Sequence, residues 1–410
     1  MAAVSLTLTA REVIFSPMQD QEMAPGADGS VGVIKPRSLT GFTPPHELKL
    51  DCGRKLGPIT QVYETYGRLN RRRSNAVLVF HALSGDHHAA GRCRPDDPKP
   101  GWWDNMIGPG KAFDTGRLFV ICANVLGGCR GTTGPGSINP RTGRPYGSAF
   151  PIVTLRDMIR AQKTLTDHLG IRQLLAVTGG SMGGMMALQW AVEYPSSVRC
   201  VIPIAAAARQ SPKNIALQEV GRRAIMADPD WNGGDYYGRT ARPVRGLGVA
   251  RMIGHISYLS GRTMWDKFGR RLMNGDRLAF DFVPEFQVET YLQHQADIFV
   301  KRFDPNSYLY ITKAIDYFDL ANGLRNGGSL KAHLAARFKK CPSKFLILSY
   351  TSDWLYPVER SVELAEALKS AGREVRHETI QTTYGHDACF LEANRMAPII
   401  REFLEANQAA

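Results

Sequence analysis

No apolar run in this chain of 410 residues approaches the roughly 18 needed to cross a bilayer, so no membrane span is expected. Met1 to Ala10 carry no basic segment ahead of their mildly apolar stretch, and no signal peptide is read there. Cysteine is sparse: seven residues, an odd number, with no C-x-x-C pair. That excludes a disulfide framework, and with several of them in apolar runs it points to reduced core thiols and a cytoplasmic location. Zinc-finger spacing, an RNP sequence and a basic-region helix are all missing, so nucleic acid is not the expected partner despite a net charge of +13. The glycine-rich stretch Asn124–Pro135 has no Gly-Lys-Ser/Thr and is not a P-loop; a structural loop is the plain reading. No internal repeat is found.

What is present is ordinary for a globular protein with a large core: 43% hydrophobic and 22% charged residues. The charge is unevenly placed. Residues 208–340 hold 21 Lys and Arg against 13 Asp and Glu, so +8 of the +13 sits there. A solvated basic surface accounts for this; attraction of a polyanionic small substrate, such as a coenzyme phosphate, is the sharper reading.

The chain is organised around Gly179-Gly180-Ser181-Met182-Gly183. Before it stands the apolar run Leu174–Thr178, and after it Gly184–Ala191 reads as a buried helix. Strand, Gly-x-Ser-x-Gly, helix is the setting in which this motif forms a nucleophile elbow. The bland alternative is a glycine-rich turn with a chance serine. Around it, Ala76–Phe80, Leu118–Asn124, Cys200–Ala205 and Phe345–Tyr350 are continuous apolar strands, with a helical period over Thr154–Leu169. Val62–Tyr66 is a strand ending in a turn at Gly67, and Arg71-Arg72-Arg73 is a solvated loop tip. Continuous rather than alternating strands, separated by helices, predict an α/β fold with a mostly parallel sheet covered on both faces. From about 208 to 340 only helix-like stretches occur: Ile215–Ala227, Gly246–Leu259, Phe286–Phe303 and Ser307–Phe318. The expected organisation is a flexible lead-in over 1–45, one core domain made of 46–207 and 341–410, and a helical lid insertion over 208–340. A helix over Val358–Ala371, a strand over Glu374–Ile380 and one final helix over Ala388–Ala406 complete it.

A serine hydroxyl needs a general base within hydrogen-bond reach. On such a sheet the order is Ser, then Asp or Glu, then His. Asp353 follows the late strand and His386 precedes the last helix, where an acid and a base belong. Asp387 is the competing carboxylate; its side chain is expected to project away from the His386 ring. The oxyanion hole calls for the N–H of Met182 and one from the loop His81–Gly85, for which Leu83 is chosen. His81, His87 and His88 invite a metal reading but lack a third ligand at sensible spacing, so no metal is expected.

These residues together resemble the homoserine O-acetyltransferases, α/β-hydrolase-fold acyltransferases of methionine biosynthesis. The resemblance runs from about Leu48 to Phe403 and rests on His81–Gly85, Gly101-Trp102-Trp103, Ile107–Gly110 and Asn124–Cys129, and on Gly179–Gly184, Arg251–Ile256, Ser307–Tyr310, Ser352-Asp353-Trp354 and Gly385-His386-Asp387. It implies a triad of Ser181, Asp353 and His386, and it implies that Arg251 and Asp387 hold the amino-acid substrate. It further implies acetyl-CoA as co-substrate with no bound cofactor, a ping-pong reaction through an acyl-serine, and a homodimer joined through the helical lid. Succinyl-using relatives tend to carry arginine two residues after the triad aspartate; here that position is Leu355, an apolar wall suited to a methyl group. A homoserine or serine O-succinyltransferase, an esterase on the same fold and a catalytically dead scaffold are the rival readings. One departure stands out: Cys389 reads as an extra residue at the start of the last helix, which would shift the register behind His386.

Overall fold

The computed structural model describes residues 29–273, 275, 277–321 and 328–408. Residues 1–28, most of the expected lead-in and all of the stretch read for a signal peptide, lie outside the described residues, as do 322–327 within the helical region.

Eight strands form the central sheet: β1 (Arg37–Gly41), β2 (Ile59–Tyr66), β3 (Ala76–Val79), β4 (Phe119–Ala123), β5 (Leu174–Gly180), β6 (Val198–Ile204), β7 (Lys344–Tyr350) and β8 (Val375–Ile380). Their spatial order is β1-β2-β4-β3-β5-β6-β7-β8. The β1–β2 and β2–β4 pairs are antiparallel and every other pair is parallel. The central strands read as continuous apolar runs because both faces are covered. Along β3, Ala76 and Leu78 pack to one side and Val77 and Val79 to the other.

One side of the sheet carries α1 (Leu155–His168), α2 (Met182–Glu193) and, further along the chain, a helix over Val358–Ser370. Helix α1 starts where it does because Thr154 and Asp157 form a reciprocal capping box. The other side is covered by a helix over Ala393–Gln408, through Met396, Ile400, Phe403 and Leu404.

Between β6 and β7 the described chain makes no strand of the central sheet. It forms α3 (Pro212–Ala227), α4 (Val244–Tyr258), α5 (Gly261–Phe268), α6 (Gln287–Val300), α7 (Pro305–Asp316) and α8 (Leu330–Phe338). In chain order the remaining helices are α9 (Val358–Ser370), α10 (Ala388–Leu391) and α11 (Ala393–Gln408).

Two expectations need correction. Residues 37–41, assigned to a flexible lead-in, are strand β1, which pairs antiparallel with β2 from Arg37 opposite Tyr63 to Gly41 opposite Ile59. This strand lies at the sheet edge with half-exposed, polar side chains, so it carries no apolar signal. The final helix is two helices, broken at Glu392, whose φ of −92° and ψ of 31° are not helical. The break follows Cys389, whose buried Sγ lies against Gly180 in the serine turn. A short helix, Ala388–Leu391, thus precedes the long one, Ala393–Gln408.

The turn from β5 into α2 is tight. A methyl group on Gly179 would lie 2.4 Å from the Phe80 carbonyl oxygen, and one on Gly183 would lie 2.2 Å from the same atom. Only glycine lets β5, β3 and α2 meet this closely. Gly183→Ala is therefore expected to cost roughly 1–3 kcal/mol by forcing backbone apart. Gly41→Ala, which meets nothing within 4 Å, serves as the control and should change stability by less than about 0.5 kcal/mol. Urea unfolding of the two variants checks this; equal midpoints would contradict the packing argument.

Candidate active site

Ser181 sits at the apex of that turn with φ 59° and ψ −121°, a conformation that L-residues avoid. Holding it costs roughly 1–3 kcal/mol. The turn is secured by the Ser181 N–H, which donates to the Ile204 carbonyl at 2.9 Å across β6. The side chain is left at the carboxyl end of the sheet, at the N-terminus of α2.

The loop after β3 packs on the same turn, since Phe80 and His81 carbonyls face Gly183. His81 is fully buried and explains itself. Its Nε2 accepts the Val125 N–H at 3.1 Å, so the proton is on Nδ1, which donates to the Ala82 carbonyl at 2.8 Å. Burial lowers its pKa, consistent with a neutral ring that pins the loop. Beyond it, the Leu83 N–H has no hydrogen-bond partner among the described residues, and neither has the Met182 N–H. Two free amides on adjoining backbone segments are what an oxyanion site requires.

Asp353 follows β7 and is buried. Its Oδ1 accepts the N–H groups of Leu355 and Tyr356, both at 2.9 Å. Its Oδ2 accepts the His386 Nδ1–H at 2.8 Å. The two amides fix the carboxylate, and the carboxylate fixes the imidazole tautomer, leaving Nε2 as the free nitrogen. Burial opposes a charge on His386, but Asp353 more than reverses this, and the pKa lies above the ordinary 6.5. Rings of Tyr356 and Tyr258 flank the imidazole at 5.2 and 6.0 Å between centroids. Among the described residues, Ser181 Oγ makes no hydrogen bond to the His386 ring; such bonds often tighten only with substrate. The Gly180–Cys389 contact shows that the two loops adjoin.

Asp387 makes no hydrogen bond to His386, as expected, and no ion pair among the described residues. Burial raises its pKa, against the pull of His386, Arg251 and Lys267. Arg251, on α4, is likewise without an ion pair among the described residues; its buried Nε has no hydrogen-bond partner and its guanidinium lies 4.7 Å from the Phe299 ring centroid. Arg251 and Asp387 both lie close enough to the hydroxyls of Tyr258 and Tyr291 to act on them, and so lie near one another. A cation and a carboxylate near one another, with no ion pair among the described residues, suit a zwitterion. Leu355 is half-buried and packs against the core beside Asp353.

Known proteins resemble this chain throughout. The alpha/beta hydrolase fold family matches residues 75–393. A homoserine O-acetyltransferase of Methanococcoides burtonii is 52% identical over 384 residues, covering 94% of this chain and 76% of that protein. The chain belongs to the homoserine O-acetyltransferase family. The crystal structure of a homoserine O-acetyltransferase from Bacillus anthracis superposes with a TM-score of 0.83 at 31% identity, covering 91% of this chain and 98% of that one. Esterase E22 superposes with a TM-score of 0.80, also at 31% identity, covering 91% of this chain and 100% of that one.

In this member of the family, several contacts around the site escaped sequence reasoning. Trp354 Nε1 donates to the Leu259 carbonyl at 2.9 Å, and the Lys213 ammonium donates to the Trp354 carbonyl. The hydroxyls of Ser260 and Thr263 donate to the Thr383 carbonyl. Arg302 Nη1 donates to the Ser84 carbonyl at 2.8 Å, next to Leu83. The helical region thus grips the Asp353 loop, the His386 loop and the loop after β3. The only sequence signal was the Asp-Trp pairing after β7; the donors lie 90 or more residues away.

The electrostatics give a direct check. An NMR titration of His386 should show a midpoint above 6.5, and Asp353→Asn should lower it, because burial then acts with less opposition. A midpoint below 6.5 that ignores the substitution would contradict the assignment.

Proposed function

We propose that this chain transfers an acetyl group from acetyl-CoA to the hydroxyl of L-homoserine through an acetyl-serine intermediate, in the cytoplasm and in methionine biosynthesis. The observation that carries the reading is the Asp353–His386 hydrogen bond at 2.8 Å, on loops adjoining the Ser181 turn, in a chain of this family.

In the first half-reaction, Ser181 Oγ attacks the thioester carbonyl carbon while His386 Nε2 takes its proton. Asp353 holds the imidazolium and stays ionised. The Leu83 and Met182 N–H groups receive the oxyanion. Collapse breaks the C–S bond, and His386 returns the proton to the departing CoA thiolate. In the second half, His386 takes the homoserine hydroxyl proton, the alkoxide attacks the acetyl carbon, and the proton returns to Ser181. Arg251 receives the homoserine carboxylate and Asp387 its ammonium group. Leu355 forms the apolar wall of the acetyl pocket.

A transferase must keep water, at about 55 M, from the acyl-enzyme. The grip of α3–α5 on the catalytic loops supports a site closed by the helical region. Homodimer formation through that region is supported by its exposed apolar side chains: Val249 at 45%, Ile256 at 46% and Trp265 at 64%.

Likeness to esterase E22 keeps hydrolysis as the rival. Release of CoA from acetyl-CoA beyond one equivalent per enzyme is expected only when homoserine is present; equal sustained release without homoserine would make the chain a hydrolase. Under the same conditions kcat/KM for acetyl-CoA should exceed that for succinyl-CoA at least about tenfold, since an unpaired buried carboxylate costs more than ~1.4 kcal/mol. A succinyl preference would overturn the role given to Leu355.

A further inference from the structure

The sequence pattern left His87 and His88 without a third metal ligand. Folding supplies two partners for His88, and His87 is not among them. Glu64 on β2, His88 on the loop after β3, and Cys93 at that loop's far end bring a carboxylate oxygen, a ring nitrogen and a thiol sulfur within 4.8 Å of one another. We propose that these three residues form a zinc(II) site that the reaction itself does not use.

The carboxylate is fully buried and already aimed. Tyr66 Oη donates to Glu64 Oε2 at 2.7 Å, and that phenol is held in turn by the N–H groups of Ala89 and Ala90, at 2.8 and 3.2 Å. This leaves Oε1 for a further ligand, and locking a carboxylate through a hydrogen-bonded neighbour is how metal sites fix their donors. His88 Nδ1 stands 3.2 Å from Oε1 and 3.0 Å from Oε2. Tetrahedral zinc, with ligand distances of about 2.0–2.3 Å, spaces its donors by roughly 3.3–3.7 Å. The Glu64–His88 pair is therefore set to within a few tenths of an ångström. The remaining closure falls to Cys93, which is exposed and follows the isolated bridge between Val33 and Arg92.

The donor set of oxygen, nitrogen and sulfur suits zinc and not magnesium or calcium. Binding displaces the proton held between His88 Nδ1 and Glu64, which passes to solvent. The Cys93 thiol releases its proton to solvent, His88 coordinates through Nδ1 with its remaining proton on Nε2, and water completes the tetrahedron. Asp86 adds negative charge beside the two histidines and Cys93, partly offset by Arg130 at 3.5 Å from it. The site tethers the far end of the loop that carries Leu83, so its expected effect is on the stability of that loop.

Cys52 and Cys93 are the two cysteines classed as exposed, which provides an internal control. The full-length protein is stripped with a chelator, treated with iodoacetamide with and without zinc(II), and mapped by peptide mass. Zinc should slow alkylation of Cys93 at least about tenfold and leave Cys52 unchanged. His88→Gln should remove that protection. As a second measurement, Cys93→Ser should retain one equivalent less zinc after dialysis than the wild type. Equal slowing at both cysteines, no slowing at either, protection that survives His88→Gln, or unchanged zinc content in Cys93→Ser would overturn the site.

Discussion

Everything at the candidate site depends on one crowded point, where the Phe80 carbonyl oxygen lies against both Gly179 and Gly183. This contact lets β3 and β5 come together at their carboxyl ends and sets α2 directly beneath them. It forces Ser181 into a positive φ and turns its side chain outward. It also brings the loop after β3 beside the first amide of α2, so that the proposed nucleophile and the proposed oxyanion donors come from the same constraint. The strain of roughly 1–3 kcal/mol at Ser181 is small against the burial of the surrounding strands and helix, each fully buried large side chain contributing about 1.5–3 kcal/mol.

The second organising feature is the helical region between β6 and β7. It is usual to regard such an insertion as a cover. Here it also acts as a brace. Lys213 at the start of α3, Leu259 at the end of α4, and Ser260 and Thr263 at the start of α5 all hydrogen-bond to loops that carry Asp353 and His386. Gly385 lets α4 approach: a side chain there would meet the Tyr258 carbonyl oxygen at 2.5 Å. The residues proposed to bind the amino acid, Arg251 and Asp387, come from the two sides of this junction. The two residues proposed for substrate binding and the proposed base are thereby held through the same few turns of helix.

Legibility in the sequence followed the range of the interactions. The serine turn, the central strands and α1 were readable because their signals are local: glycine spacing, continuous apolar runs, and a helical period over Thr154–Leu169. The order of Ser181, Asp353 and His386 was readable because parallel topology places the loops after the strands at one end of the sheet, the carboxyl end. Strand β1 was not readable, since an edge strand needs no apolar face. Helix α8 was missed because it is nine residues long and buries only Leu334 and Phe338. The break at Glu392 was not readable, since the stretch Ala388–Ala406 reads as one helix and no proline or glycine marks residue 392. Long-range ties such as Arg302 to Ser84, or Glu64 beside Cys93, leave no mark in a single sequence.

The central claim is that Ser181 carries the acyl group between two substrates. Intact-mass spectrometry after mixing with acetyl-CoA alone tests it most directly. The account predicts a mass gain of one acetyl group, mapped to the peptide holding Ser181, which persists in buffer and is discharged when homoserine is added. An unmodified protein that still acetylates homoserine, or an acetyl group found on another residue, would contradict it.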